Sequence, residues 1–227
     1  RVFSSVSVPL TSKLTVLEVE DGVEIRVGHY DYADGSSYTG EWVNANAQGT
    51  GKFKSTNGST FEGKFSKGAV HGQATATYAS GEIYEGEFRV DLPSGQGKLT
   101  VVTAEGPRVY EGTWEAGKKK GQGKMVWENG DVYEGAFEMD KFHGQGSLTK
   151  KDGTSYVGEW KDGKRDGQGV FKCISTYEYD GGWKDGKRHG KGTCKEATGA
   201  VYVGDYQDDH RHGQGVMTYS PGVTYTG

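Results

Sequence analysis

Residues 133–155 read YEGAFEMDKFHGQGSLTKKDGTS, and this stretch decides the fold. Tyr133, Gly135 and Phe137 are spaced by two, so they share one face of a strand, with Glu134 and Ala136 on the other. After a polar turn, Gly144, Gly146 and Leu148 restart the same spacing. Asp152-Gly153 then closes the stretch with a strong hairpin-turn signal. The reading is one β-hairpin followed by a turn into the next. A glycine under an aromatic ring leaves room for the ring to lie flat on a neighbouring strand, and glycine at a turn supplies positive φ.

The pattern recurs in both directions. Units start at Tyr38, Phe61, Tyr84, Tyr110, Tyr133, Tyr156, Tyr179 and Tyr202, and another opens at Tyr225. Successive starts lie 23 residues apart, except that Tyr84 to Tyr110 takes 26. Self-similarity at such a period signals a repeat architecture in which each unit buries its apolar face against its neighbours. Three columns follow. The first holds the starting aromatics. The second holds Trp42, Phe65, Phe88, Trp114, Phe137, Trp160, Trp183 and Tyr206. The third, from the second strands, holds Phe53, Ala76, Leu99, Met125, Leu148, Phe171, Cys194 and Met217. All three are expected on one face as an aromatic spine. With strands about 4.8 Å apart, a two-strand unit advances roughly 9–10 Å, and the units together make a body on the order of 80 Å long.

Composition excludes several classes. Only 33% of the 227 residues are hydrophobic, while glycine reaches 39 residues, which suits short strands and tight turns better than a thick core. Aromatics at 12% set the chain apart from disordered sequences. A net charge of -4 argues against nucleic acid as a partner. No apolar run approaches membrane-spanning length. Cys173 and Cys194 do not make a disulfide scaffold and read as reduced thiols of an intracellular protein, with a redox pair or half a metal site as the alternative.

Two irregularities stand out. The long step carries three extra residues within Val101 to Val109, including Gly106-Pro107, and the extra length is expected in a turn. Ala74 replaces the second glycine of Gly-x-Gly in the second unit. The domain reading is residues 1–37 as an N-terminal arm and degenerate capping hairpin, 38–224 as eight repeats, and 225–227 as the start of a further, truncated repeat. Within the first stretch, residues 1–12 form the arm, and Lys13 to Tyr32 read as two strands around Asp21-Gly22. A cap protects an otherwise open strand edge. The chain reads as a segment of a longer array.

The segments YEGTWEAGKKKGQGK at 110–124, YVGEWKDGKRDGQGV at 156–170 and YDGGWKDGKRHGKGT at 179–193 resemble MORN repeats (membrane occupation and recognition nexus), over about residues 26–227. The first three units depart from that pattern in the middle turn, at Asn44-Ala45-Asn46, Gly68-Ala69 and Leu92-Pro93. The resemblance implies an all-β, open, elongated solenoid of antiparallel β-hairpins, a single-layer twisted sheet with a groove along one face. It also implies scaffolds of cytoskeletal, axonemal or membrane-junction assemblies, or modules appended to lipid kinases and a lysine methyltransferase. Phosphoinositide binding, peptide binding in the groove and dimerisation through array ends belong to the same expectation.

Two surfaces are candidates. A single-layer sheet has no second layer over its apolar face, and Tyr and Trp are good interface anchors. Tyr110, Trp114, Tyr133, Phe137, Tyr156, Trp160, Tyr179 and Trp183 are therefore the expected lining of a partner-binding groove, besides packing the spine. The middle turns supply Lys118, Lys119, Lys141, Lys164, Arg165, Lys187, Arg188 and Arg211, which stack into a basic edge for anionic phospholipid or an acidic partner. Asp162, Asp166 and Asp185 lie close enough in sequence to weaken its field.

Other constellations carry little chemistry. His71, His143, His189 and His212 precede the first glycine of Gly-x-Gly and read as turn-packing residues with satisfied hydrogen bonds, not metal ligands. Glu62, Glu85, Glu111, Glu134 and Asp180 form a stripe of near-identical environments, whereas paired catalytic carboxylates need distinct ones. No helix follows the Gly-x-Gly segments to bind phosphate. The expectation is thus a non-enzymatic scaffold or adaptor with no cofactor and no metal. It binds a helical or extended protein segment along the aromatic groove, at the cytoskeleton, in the cytoplasm or at a membrane periphery. The rival readings are a peripheral membrane module working through the basic edge, the targeting part of a larger enzyme, and a homodimer or structural rod joined end to end.

Overall fold

A computed structural model describes residues 14–20, 23–219 and 222–227. The arm expected over residues 1–12 and the Asp21-Gly22 turn lie outside the described residues. The chain divides into two compact units, residues 1–118 and 119–227. Both are all-β, and no helix occurs among the described residues.

In the first unit the strands are β1 (Leu14–Glu20), β2 (Val23–Asp31), β3 (Ser37–Val43), β4 (Asn46–Lys54) and β5 (Thr60–Ser66). They continue as β6 (Ala69–Thr77), β7 (Ile83–Arg89), β8 (Leu92–Thr103) and β9 (Gly106–Glu115). The second unit holds β10 (Lys118–Val126), β11 (Val132–Glu138), β12 (Lys141–Thr149), β13 (Ser155–Lys161) and β14 (Lys164–Cys173). It ends with β15 (Tyr177–Lys184), β16 (Lys187–Glu196), β17 (Val201–Gln207), β18 (His210–Tyr219) and β19 (Val223–Thr226). Within each unit every strand pairs antiparallel with its sequence neighbour, giving an open sheet.

The register explains the motif. Each starting aromatic lies opposite its third-column partner, as Tyr133↔Leu148, Tyr156↔Phe171 and Tyr179↔Cys194. The motif glycines pair across the same hairpin, as Gly158↔Gly169. A Cβ on Gly169 would fall inside the Tyr156 ring, so the ring lies flat on the glycine backbone as the sequence predicts. Beyond that pair the register slips: Gly158 and Trp160 are two apart, but their partners Gly169 and Arg165 are four apart. The surplus forms a β-bulge containing Gly167 at φ 95°. Glu159 then has no partner on β14, and its carbonyl accepts a hydrogen bond from the Tyr156 hydroxyl at 2.9 Å. The Glu159 carboxylate in turn accepts from the Gln168 N–H inside the bulge at 2.8 Å. The tyrosine-to-carbonyl bond recurs from Tyr84, Tyr110, Tyr133 and Tyr179 at 2.9–3.0 Å. Tyrosine stands at the head of the motif because its ring covers glycine and its hydroxyl satisfies the carbonyl that the bulge leaves unpaired.

The second repeat departs from this rule at both positions: Phe61 is the one starting aromatic without a hydroxyl, and Ala74 is the one replaced glycine. They belong to the same hairpin, with Gly63↔Ala74 paired. A methyl at Ala74 stands where a tyrosine ring would need bare backbone.

Trp160 and Trp183 donate Nε1–H to the carbonyls of Gly146 and Gly169, one repeat back, at 3.1 and 3.0 Å. Their rings meet the tyrosines edge-on, as Tyr156–Trp160 at 5.0 Å and Tyr156–Trp183 at 5.3 Å. Such pairs add about 0.5–1.5 kcal/mol beyond area burial. Two turn types alternate. Inside a repeat, two left-handed residues such as Asp162 (φ 51°) and Gly163 (φ 83°) make the tight hairpin turn. Between repeats, a longer turn such as Lys150–Thr154 closes with Lys150 N–H donating to the Thr154 carbonyl at 2.8 Å.

The three extra residues of the long step do not make a longer turn. They extend β8 and β9, pairing Val101↔Arg108, Val102↔Pro107 and Thr103↔Gly106, and only residues 104 and 105 remain as the turn. Val and Thr favour strand, and an extended ladder satisfies backbone groups that a loop would leave to solvent.

Candidate functional site

The eight rings expected to line a groove are at most 6% exposed. In the first unit Tyr110 and Trp114 are core, and in the second so are Tyr133, Phe137, Tyr156, Trp160, Tyr179 and Trp183. Three of them, Tyr156, Trp160 and Trp183, form the floor of a concavity of about 630 Å³ in the second unit. Its remaining walls come from Lys150, Thr154, Arg165, Phe171, Tyr177, Arg188 and Asp209, among others. That volume lies within the ordinary range of binding clefts.

The residue after each hairpin turn decides what covers the rings. It sits at the start of the second strand, one position past the turn lysine, so pleating sends the two side chains to opposite faces. Lys141, Lys164 and Lys187 face outward and pair with Asp162 (3.4 Å), Asp185 (2.9 Å) and Asp208 (3.8 Å) of the following turn. Hydrogen bonding from Lys164 holds the Asp185 carboxyl below the ordinary carboxylate range. Arg165 turns inward, with its guanidinium 4.0 Å from the Trp183 ring centre, 5.4 Å from Phe171 and 5.7 Å from Tyr156. Arg188 lies 5.2 Å from Tyr206, and Arg211 4.8 Å from Tyr202. The expected basic edge is therefore two columns on two faces: lysines compensated by aspartates, and arginines over aromatic rings. Of the remaining pair, Lys118 is exposed, and the Lys119 N–H donates to Asp140 at 3.0 Å.

The three arginines differ in their partners. Arg188 reaches the Asp209 carboxylate at 3.3 Å and its carbonyl at 2.7 Å. Arg211 donates to the Glu196 carboxylate at 2.8 Å. Arg165 donates to the Gly186 carbonyl at 2.7 Å and ion-pairs with no carboxylate among the described residues. Burial lowers the Arg165 pKa from its usual value, and Asp209 partly offsets this. Burial also pushes the Tyr156 hydroxyl up to about 12.

Sequence reasoning missed Tyr177. It stands two residues before Tyr179, where the neighbouring units have Thr154 and Ala200. The signal was the aromatic alternation Tyr177-x-Tyr179. Tyr177 pairs with Cys173 and so lengthens the β14–β15 hairpin by one step, which carries its ring to the concavity wall.

The histidines do not converge. His71, His143 and His212 are exposed, and the buried His189 Nδ1 has no hydrogen-bond partner among the described residues, which departs from the satisfied bond expected there. No group of three metal-capable side chains occurs among the described residues. Cys173 and Cys194 are free thiols. They lie opposite Tyr177 and Tyr179, and burial raises the Cys194 thiol. No described helix is long and apolar enough to cross a membrane.

The MORN repeat family profile matches residues 38–60, 61–83, 84–100, 110–132, 133–155, 156–175, 179–201 and 202–224. The gaps at 101–109 and 176–178 fall where the β8–β9 and β14–β15 hairpins are lengthened. No match was found among curated proteins. Among solved structures, the chain is similar to the TCP domain of SAS-4 from Drosophila melanogaster in complex with a proline-rich motif of Ana2, at 17% identity and TM-score 0.30. That match covers 80% of this chain and 85% of the other. A catalytically inactive virginiamycin B lyase from Staphylococcus aureus with quinupristin matches at 10% identity and TM-score 0.18, over 94% of this chain and 73% of the other. Likenesses of this degree bear on neither architecture nor activity.

Proposed function

Because the chain belongs to the MORN-repeat family, we propose that it is a non-catalytic scaffold holding a protein segment, extended or helical, against the aromatic face of its second unit. Arrays of this family generally serve as protein- or membrane-interacting scaffolds, and the finer reading is for this chain alone. The observation that carries it is the concavity over Tyr156, Trp160 and Trp183, walled by Phe171, Tyr177 and the arginines. Aromatic and arginine side chains are the anchors that binding interfaces favour. The non-catalytic part is supported by the family itself, whose repeats are typically non-enzymatic.

In this reading residues 1–37 cap the array, 38–224 are its eight repeats and 225–227 open another. The pairing Gly28↔Gly40 supports the cap, because it repeats the Gly51↔Gly63 step between true repeats. The assembly served is cytoskeletal, axonemal or membrane-associated. A membrane role through the lysine column ranks lower, since each of Lys141, Lys164 and Lys187 already faces an aspartate. The test is site-specific photo-cross-linking in native extract. Cross-linkers at Lys150 and Tyr177 should capture one protein, and a cross-linker at Glu134 on the opposite face should not. Equal capture from both faces, or none from the first, removes the reading.

A further inference from the structure

We propose that Arg165 is a carboxylate-recognition residue, and that the segment seated in the concavity is an extended acidic peptide in which Asp or Glu alternates with apolar side chains. This rests on the scaffold reading above and adds the chemistry of the partner. Arg165 has five N–H donors in a planar fork, and one hydrogen bond, to the Gly186 carbonyl, is its commitment within the chain. That bond and the Trp183 ring at 4.0 Å hold the guanidinium in place before any ligand arrives. Of the other cations in the same concavity, Lys164 pairs with Asp185 and Arg188 with Asp209, and Lys150 is exposed to solvent.

Arg165 is therefore the half-buried cation of this concavity that makes no direct ion pair among the described residues, with Asp209 acting on it only at longer range. Solvent screens such a site less than an exposed one, so a charge-assisted, bidentate bond is stronger there. A carboxylate carries the single negative charge that matches. A phosphate group, near -2, would meet Asp209 on the concavity wall. The apolar component follows from Phe171, Tyr177 and Trp183, which offer ring faces beside the guanidinium. An extended chain places every second side chain on one face, so alternation of acid and apolar residues lets one face supply the apolar contacts while a carboxylate reaches the rim.

The experiment uses the full chain and two synthetic peptides, one alternating leucine with aspartate and one alternating leucine with asparagine. Binding is read by fluorescence anisotropy. The aspartate peptide is expected to bind about ten-fold more tightly, with the preference abolished in Arg165→Gln and retained in Lys124→Gln, which lies with Glu134 on the opposite face of the same unit. Should Arg165→Gln lower the melting temperature, Arg165→Lys keeps the charge and loses the fork, and a reduced preference is again the expected result. Equal binding of the two peptides overturns the carboxylate assignment and leaves the docking face standing. A preference that survives in both Arg165 variants overturns it too. So does binding by neither peptide, in which case the docking face is judged by cross-linking alone. Tighter, Arg165-dependent retention of a phosphoserine peptide or of phosphatidic acid vesicles, which carry no carboxylate, replaces the carboxylate with a phosphate ligand.

Discussion

In the first three repeats, the residue one place past the hairpin-turn lysine position is Ala47, Val70 and Pro93; in the last three it is Arg165, Arg188 and Arg211. Ala47 and Val70 are at most 2% exposed and simply fill the core of the first unit. The arginines of the second unit lie over the rings and reach solvent. The backbone at this position does the same work in both units. Its carbonyl accepts the N–H of the next turn, as Ala47 from Gly68 at 3.0 Å and Arg165 from Gly186 at 2.8 Å. The repeat frame is thus carried by main chain, glycine and the ring columns, which leaves this side chain open to serve recognition.

The largest expected effect separates frame from surface. Trp183→Ala removes a ring that packs on Tyr156 and Tyr179 and donates to the Gly169 carbonyl. It should cost about 3–5 kcal/mol in urea unfolding. By contrast, Arg165→Val, which copies Val70 into the second unit, should leave unfolding within about 1.5 kcal/mol of wild type.

Gly169→Ala pushes a methyl into the Tyr156 ring and should cost about 1–3 kcal/mol through overpacking. The first unit supplies the mirror image. Phe61→Tyr should destabilise while Ala74 remains, and Ala74→Gly should rescue it, since the hydroxyl then finds its carbonyl. A double-mutant cycle by thermal melting measures that coupling. Tyr156→Phe should cost about 1 kcal/mol, for one hydrogen bond lost to the bulge carbonyl.

Alkaline pH probes the same hydroxyl. Burial raises Tyr156 and Tyr206 to about 12, against the ordinary tyrosine value of 10.0. The unfolded chain therefore releases these protons first. Their contribution to stability is complete below pH 10 and is lost as pH rises towards 12. Chemical denaturation as a function of pH should show stability falling through that window, and less steeply in Tyr156→Phe. The smallest effect belongs to the outer column: Lys164→Gln breaks a solvent-screened, exposed pair with Asp185 and should shift the urea midpoint less than any variant above.

The fold was legible in residues 133–155 because strand alternation and repeat period are both written in side-chain type. Even the ring lying over glycine follows from Tyr133 and Gly146. The site was less legible. The ring columns named as a groove lining are the core, since a single sheet that folds on its own must bury its largest rings against one another first. The basic run Lys164-Arg165 reads as one edge in sequence, and pleating divides it between two faces. The extra residues at Val101–Val109 look like turn because of Gly106-Pro107, yet Val101, Val102 and Thr103 find ladder partners. Tyr177 drew no notice because it falls outside the repeating positions, which is also why it can differ between repeats.

The most direct test of the docking face exchanges the column itself. Arg165→Val with Arg188→Ala copies the first unit's Val70 and Ala47 into the second, and a photo-cross-linker at Lys150 reports the partner in native extract. Loss of the cross-linked protein, from a chain that still melts in one cooperative transition, is the expected result. The same protein captured in the same yield by the exchanged chain would contradict the assignment of recognition to this column.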